Sequence, residues 1–205
     1  MEIRPVGDRE LLAASRLTIP TLPASDSAAL TVLRSAPETL GLDPRRQVVA
    51  VEGDTVFGAC LYVLSAGRAA TVLAPVLTRR CPATMVATTA AGLIRTARTA
   101  CRQAGAEMIQ ALLEDAPDSP VGRQFRDAGF QYLALLIYLE LTLRRGSRPT
   151  LDSRWTATPY HPDLEQRFSD LIIRSYVGSL DCPALDGLRA PEDVLVGGLL
   201  AADIV

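Results

Sequence analysis

The feature that most constrains the fold is a change of hydrophobic period in mid-chain. Gln47-Val-Val-Ala-Val-Glu52 reads as a strand, Gly53-Asp54 supplies turn chemistry, and Thr55-Val-Phe-Gly-Ala-Cys-Leu-Tyr-Val63 reads as a longer strand. The two predict a hairpin. After Gly67 a third strand, Ala70 to Leu77, continues the meander. Past the polar break Thr78-Arg-Arg-Cys-Pro82 the period becomes helical. Val86, Ala90, Leu93, Ile94, Ala97, Cys101 and Ala104 recur every three or four residues. A meander feeding a long amphipathic helix predicts an α/β (α+β) domain.

The flanking segments extend this pattern. Ile3 to Val6 reads as a short strand that Pro5 confines to a sheet edge. Asp8 is placed to cap a helix carrying Leu11, Leu12, Ala13 and Leu17, and Ser25 to Leu40 predicts a second helix. Gly105 ends the long helix. The apolar run Met108 to Leu113 suits a strand covered on both sides. Pro120 fits the first turn of a helix ending at Ala128-Gly129, and Phe130 to Leu143 predicts a long last strand. Arg144-Arg-Gly-Ser-Arg-Pro-Thr150 is a polar linker and the expected domain boundary. The expected organisation is thus a domain over 1–143, a linker over 144–152 and a smaller piece over 153–205. In that piece a strand is expected at Trp155 to Pro159. Helices are expected at about Pro162 to Ser175 and Pro191 to Ala201.

Composition narrows the chemistry. All 21 basic residues among the 205 are arginine, so reactions that need an enzyme lysine are excluded. His161 is the single histidine and leaves little room for a histidine triad or zinc site. Cys60, Cys81, Cys101 and Cys182 form no C-x-x-C pair. No metal is expected, and the thiols read as reduced in a cytoplasmic protein. A net charge of −2 argues against a nucleic-acid partner. No run of 18 uncharged apolar residues occurs, so no membrane span is expected. Arg95, Arg98 and Arg102 share the helix side opposite the apolar stripe. They read either as an anion-binding face or as a solvated one.

The order of these elements resembles the GNAT superfamily of N-acetyltransferases. The residues that carry the resemblance are Ile3-Arg-Pro5, then Val49-Ala-Val-Glu-Gly-Asp-Thr-Val-Phe-Gly58 for the second and third strands. Ala70 to Leu77 matches the fourth strand and Phe125-Arg-Asp-Ala-Gly-Phe130 the segment before the last. The likeness covers about two-thirds of the chain. It implies a mixed, mostly antiparallel sheet flanked by helices, with acetyl-CoA held where the fourth and fifth strands splay apart. The coenzyme's pyrophosphate would lie at the start of the following helix, where unpaired N–H groups favour an anion. The implied cofactor-binding residues are Val76, Leu77, Arg79, Arg80, Ala83 and Thr84, with Arg79 and Arg80 either holding phosphates by charge or forming a solvated loop. The implied reaction is direct acetyl transfer to a small-molecule or peptide amine, with no covalent intermediate.

Three departures bear on that reading. The family's phosphate loop, Arg/Gln-x-x-Gly-x-Gly/Ala, meets Thr78-Arg-Arg-Cys-Pro-Ala-Thr84, which has no glycine in either register. Phe125 stands where the family has a tyrosine that protonates the leaving thiolate. The fourth strand carries no base, and the nearest strand carboxylates are Glu52 and Glu114. No catalytic residue is therefore assigned. The alternative is a catalytically degenerate GNAT module with a structural, binding or dimerisation role. Residues 153–205 resemble the opening of a second GNAT unit, as in a tandem protein. Their helices would pack on the first domain or pair two chains as a homodimer. Tyr176 and Asp181 would line an acceptor site there, or simply end a helix.

Overall fold

The computed structural model describes residues 1–39, 41–114, 116–136, 154, 156, 158–178 and 187–202. The chain divides into two compact units, Met1–Tyr132 and Leu133–Val205.

In the first unit the strands are β1 (Glu2–Pro5), β2 (Gln47–Glu52), β3 (Thr55–Ser65), β4 (Ala69–Val72), β5 (Val76–Leu77) and β6 (Met108–Gln110). The helices are α1 (Leu11–Thr18), α2 (Asp26–Thr39), α3 (Val86–Gln103) and α4 (Pro120–Asp127). The sheet order is β1-β2-β3-β4-β6, with β5 paired to β3. All pairs are antiparallel except β4 with β6. β1 takes the edge, as Pro5 requires.

Alternation along the strands builds two cores. Val48, Ala50, Cys60, Ala70 and Val72 are buried with Leu93, Ile94, Ala97 and Cys101 of α3. The other sheet face buries Val49, Val51 and Ala59 with Ala14 of α1. Each buried Val, Leu or Ile contributes about 1.5–3 kcal/mol. Gln47 fixes α1 to the start of β2. Its Nε2 donates to Ser15 Oγ at 2.9 Å and Pro44 O at 2.6 Å, and its Oε1 accepts from Thr18 Oγ1 at 2.8 Å.

Asp8 does not cap α1. It pairs with Arg45 at 2.7 Å, while Glu10 at the helix start accepts the Gly7 N–H at 3.1 Å and binds Arg4 at 2.8 Å. No side chain caps α1; the Glu10 carboxylate instead ties its start to Gly7 and Arg4. The expected strand at Met108 to Leu113 stops at Gln110, and Leu112 is 55% exposed, so this segment is not covered on both sides. At α4 Ser119 caps the helix by accepting the Gly122 N–H at 3.0 Å, with Pro120 in its first turn. Residues 130–136 form no strand; the rest of the expected last strand and the expected linker over 144–152 lie outside the described residues.

In the second unit Pro162–Leu164 form a 3-10 turn, followed by α5 (Glu165–Tyr176) and α6 (Pro191–Ala202). Tyr160 meets Phe168 edge to face, with centroids 5.2 Å apart. Residues 156, 158 and 159 form no strand. Asp181 and Cys182 lie outside the described residues.

Candidate functional site

The fourth strand expected at Ala70 to Leu77 is broken in two. Between the Ala59–Val76 and Tyr62–Val72 pairs, two residues of β3, Cys60 and Leu61, face three: Leu73, Ala74 and Pro75. The extra residue is a β-bulge, a feature that bends a strand and re-aims its side chains. Pro75 has no N–H to give a ladder. Leu73 is held from two sides: its N–H donates to Leu61 O at 3.0 Å, and its carbonyl accepts the Cys60 thiol at 3.4 Å.

The bulge reverses the strand's phase. Val72 is buried on the α3 face, so unbroken alternation would put Val76 there as well. Instead Val76 is 39% exposed, and Leu77 packs on the α3 core. Gly58, opposite Leu77, leaves the space for it. An added Cβ there would fall 2.3 Å from Leu77 Cδ2 and 3.3 Å from Leu93 Cδ1.

The bulge is also where two strands part. β4 pairs with β6 at Ala69–Met108, Ala70–Ile109 and Thr71–Gln110, whereas β5 pairs with β3 alone. The Thr78 N–H donates to Phe57 O at 2.8 Å. Antiparallel alternation then turns the N–H and C=O of Leu77 away from β3, toward the gap that β6 leaves.

The loop after β5 leads into α3. The Cys81 N–H donates to Thr78 O at 3.0 Å, and the Cys81 side chain is buried. The side chain that replaces the expected glycine thus lies on the protein side of the loop. Arg79, Arg80, Ala83 and Thr84 are exposed. Ala83–Met85 form a 3-10 turn that runs into α3. Neither start has a side-chain cap, and neither first turn holds an acidic residue. The leading N–H groups therefore lack the usual competitors for an anion. Thr89, at the fourth position of α3, keeps a buried hydroxyl with no hydrogen-bond partner. A polar atom left unsatisfied at such a place is an explanation owed. The residues present fit an elongated anionic group: exposed arginines, uncapped N–H donors and an edge amide lie in sequence along one path.

Of the two readings of the arginine stripe, the solvated one describes Arg95, which is exposed, while Arg98 is half-buried. Arg95 Nη1 donates to Asp127 O at 3.4 Å. A Cβ added to Gly129, where φ is +86°, would fall 2.3 Å from Arg98 Nη1. Both guanidinium groups sit at the C-terminal end of α4, where the dipole favours a cation. Arg102 is exposed. Phe125 is a core residue, 3% exposed and edge to face with Phe130. Glu52 lies at the end of β2, 3.7 Å from the terminal amine, and Glu114 is exposed. Tyr176 ends α5 in the second unit.

Two open grooves lie elsewhere. One of about 520 Å³ is lined by Asp8, Leu11, Leu33, Arg34 and Pro44 among others, and one of about 480 Å³ by Thr156, Arg167, Phe168 and Arg174. Neither touches residues 76–89. Among the described residues no group of three or more His, Cys, Asp or Glu is placed to hold a metal, and no helix is long and apolar enough to cross a membrane. Sequence reasoning missed the bulge, Gly58 and Thr89. A proline and a glycine inside predicted strands were the available signals for the first two.

No family model matches the chain, and no curated protein matches it. Solved structures are similar to it. The aminoglycoside 6'-N-acetyltransferase AAC(6')-IG from Acinetobacter haemolyticus is 16% identical, over 70% of this chain and 100% of that one, with a TM-score of 0.46. The aminoglycoside N-acetyltransferase AAC(6')-Iy, solved in complex with CoA, is 14% identical, over 69% and 95%, with a TM-score of 0.48. Ard1 from Thermoplasma volcanium is 15% identical, over 65% and 84%, with a TM-score of 0.44. Its own element order and strand pairing give the first unit the expected α/β architecture: a mostly antiparallel sheet with helices on both faces and one parallel pair beside a bulge.

Proposed function

We propose that residues 1–132 bind acetyl-CoA along the path from Leu77 to Thr84 and present its thioester to an amine for direct acetyl transfer. The observation that carries this reading is the parting of β5 from β6 beside an uncapped α3 N-terminus. In it the outward N–H and C=O of Leu77 pair with the pantetheine arm, and the exposed Val76 side chain lies beside it. The N–H groups at Ala83 and Thr84 take the pyrophosphate, and Arg79 and Arg80 add charge-assisted hydrogen bonds. The coenzyme supplies an activated acyl group. The chain supplies position, which accounts for much of an acyl transfer between bound partners. The acceptor is a small-molecule or peptide amine.

A second reading is favoured by Phe125. With that ring buried in the core and no carboxylate, histidine or tyrosine among residues 76–89, the domain is a catalytically degenerate module with a structural, binding or dimerising role. Pairing of two copies through residues 153–205 belongs to this second reading.

Thermal unfolding with and without acetyl-CoA tests the first reading. A ligand at 100 times its Kd adds about 2.7 kcal/mol, so a clear rise in midpoint is expected. No shift at millimolar coenzyme ends the transferase reading and leaves the structural or dimerising one. Release of free thiol from acetyl-CoA in the presence of an amine panel then separates turnover from binding alone.

A further inference from the structure

The β-bulge is the hinge of the proposed site, and one side chain reaches it from the neighbouring strand. Cys60 lies on β3 between Ala59, which pairs with Val76, and Leu61, whose carbonyl receives the Leu73 N–H. Its thiol donates to Leu73 O at 3.4 Å. Leu73 is the first residue past the last β4 pair, so this carbonyl has lost its place in the ladder. Leu73 itself is 37% exposed, and the thiol gives its carbonyl a partner from the buried side of the strand. The thiol is itself fully buried among Val48, Leu93, Ile94 and Cys101. Burial, with a smaller contribution from Cys101, pushes it up to about 12. It therefore stays protonated, as a donor must.

We propose that Cys60 is a positioning residue: its S–H bond to Leu73 holds the bulge in the form that turns Leu77 onto the α3 core and aims the Leu77 amide into the gap beside β6. The proposal rests on the coenzyme reading for its functional consequence. The consequence for the backbone stands apart from it. If the bulge relaxes by one residue, Val76 and Leu77 exchange faces, because a one-residue slip inverts every side chain beyond it.

Three variants separate the hydrogen bond from the volume it occupies. Cys60→Ser keeps a donor, Cys60→Ala removes it at nearly the volume of serine, and Cys60→Val removes it from a larger side chain and serves where the alanine variant fails to fold. Two measurements are made on the full chain: the Kd for acetyl-CoA by calorimetry, and hydrogen exchange of the amides from Leu73 to Thr78 in the free protein. Loss of the donor is expected to speed exchange at Val76 and Thr78 and to raise the Kd about fivefold or more, a step of about 1 kcal/mol. The serine variant is expected to stay within about twofold of wild type in both. Equal behaviour of the serine and valine variants, or unchanged exchange in the valine variant, overturns the role of Cys60. A wild-type chain that binds no acetyl-CoA overturns the coenzyme reading instead, and the exchange arm still decides what Cys60 does to the backbone.

Discussion

Phe125 of α4 and Phe130 just beyond it meet edge to face, with ring centroids 5.2 Å apart and planes at 84°. That geometry is favourable for two aromatic quadrupoles, and the Phe125 ring is 3% exposed. Phe125 is thus a packing residue, in the position where a proton-donating tyrosine was sought. Phe125→Tyr would carry a hydroxyl into an apolar core. It is expected to destabilise the domain by about 1–3 kcal/mol and to add no transferase rate. Denaturant midpoints and a thiol-release assay on the same preparation check both parts. A gain in rate with stability intact would return the position to the active site.

Gly58 is the tightest point of the proposed cleft. An added Cβ would lie 2.3 Å from Leu77 Cδ2 and 3.1 Å from Val76 O. The leucine end can swing away, but the carbonyl belongs to backbone. Gly58→Ala is expected to cost about 1–3 kcal/mol, as overpacking does, and to push β5 off β3. Loss of acetyl-CoA binding out of proportion to the fall in melting temperature is the expected signature.

Much of this fold is legible in the sequence, and the reasons differ by element. The period of Val86 to Ala104 gave α3 because one continuous apolar stripe faces one sheet. The Gly53-Asp54 turn gave the hairpin because few residues accept its backbone geometry; φ at Gly53 is +56°. The bulge was hidden because Ala70 to Leu77 is apolar throughout, so neither face announces itself and a phase reversal leaves no polar residue out of place. The half-burial of Arg98 is hidden for a related reason. Periodicity places Arg95 and Arg98 on one side of α3, but only the return of α4 shows that its C-terminal carbonyls wait there.

Gln47 satisfies three partners on α1 and on the loop before β2 while only 1% exposed. Gln47→Ala would leave the hydroxyl of Ser15 and the carbonyl of Pro44 searching for new partners, while the Thr18 hydroxyl keeps Ala14 O at 3.3 Å. Each buried polar group so stranded costs about 1–3 kcal/mol. The helix is expected to loosen locally before the sheet does. Hydrogen exchange in α1 should rise more than in β2 and β3, and uniform change across all three would contradict the local role.

Glu10 links α1 to β1. Arg4 donates to its carboxylate at 2.8 Å and the Gly7 N–H at 3.1 Å. The hydrogen bond from Arg4 chiefly holds the Glu10 carboxyl below its ordinary value. A group whose folded value is lowered stabilises above its unfolded pKa, about 4.3 for glutamate, and loses that contribution as pH falls through the folded value. Wild type should therefore lose more stability than Glu10→Gln as pH falls from about 6 toward 3. Urea midpoints at several pH values give the comparison. Parallel curves for the two proteins would show that the pair contributes nothing.

Arg79 and Arg80 are exposed at the loop before α3, and nothing in the fold depends on their charge. Replacing both with alanine should leave stability within about 0.5 kcal/mol. If they grip coenzyme phosphates, each charge-assisted bond is worth about 1.5–3 kcal/mol, so the double variant should bind acetyl-CoA at least roughly tenfold more weakly. The loss should shrink as salt rises, because screening weakens exposed charge pairs in the wild type first. Calorimetric titrations at low and high salt read both effects. Equal affinity of wild type and variant at low salt would make the arginines a solvated loop and leave the pyrophosphate to the α3 N–H groups alone.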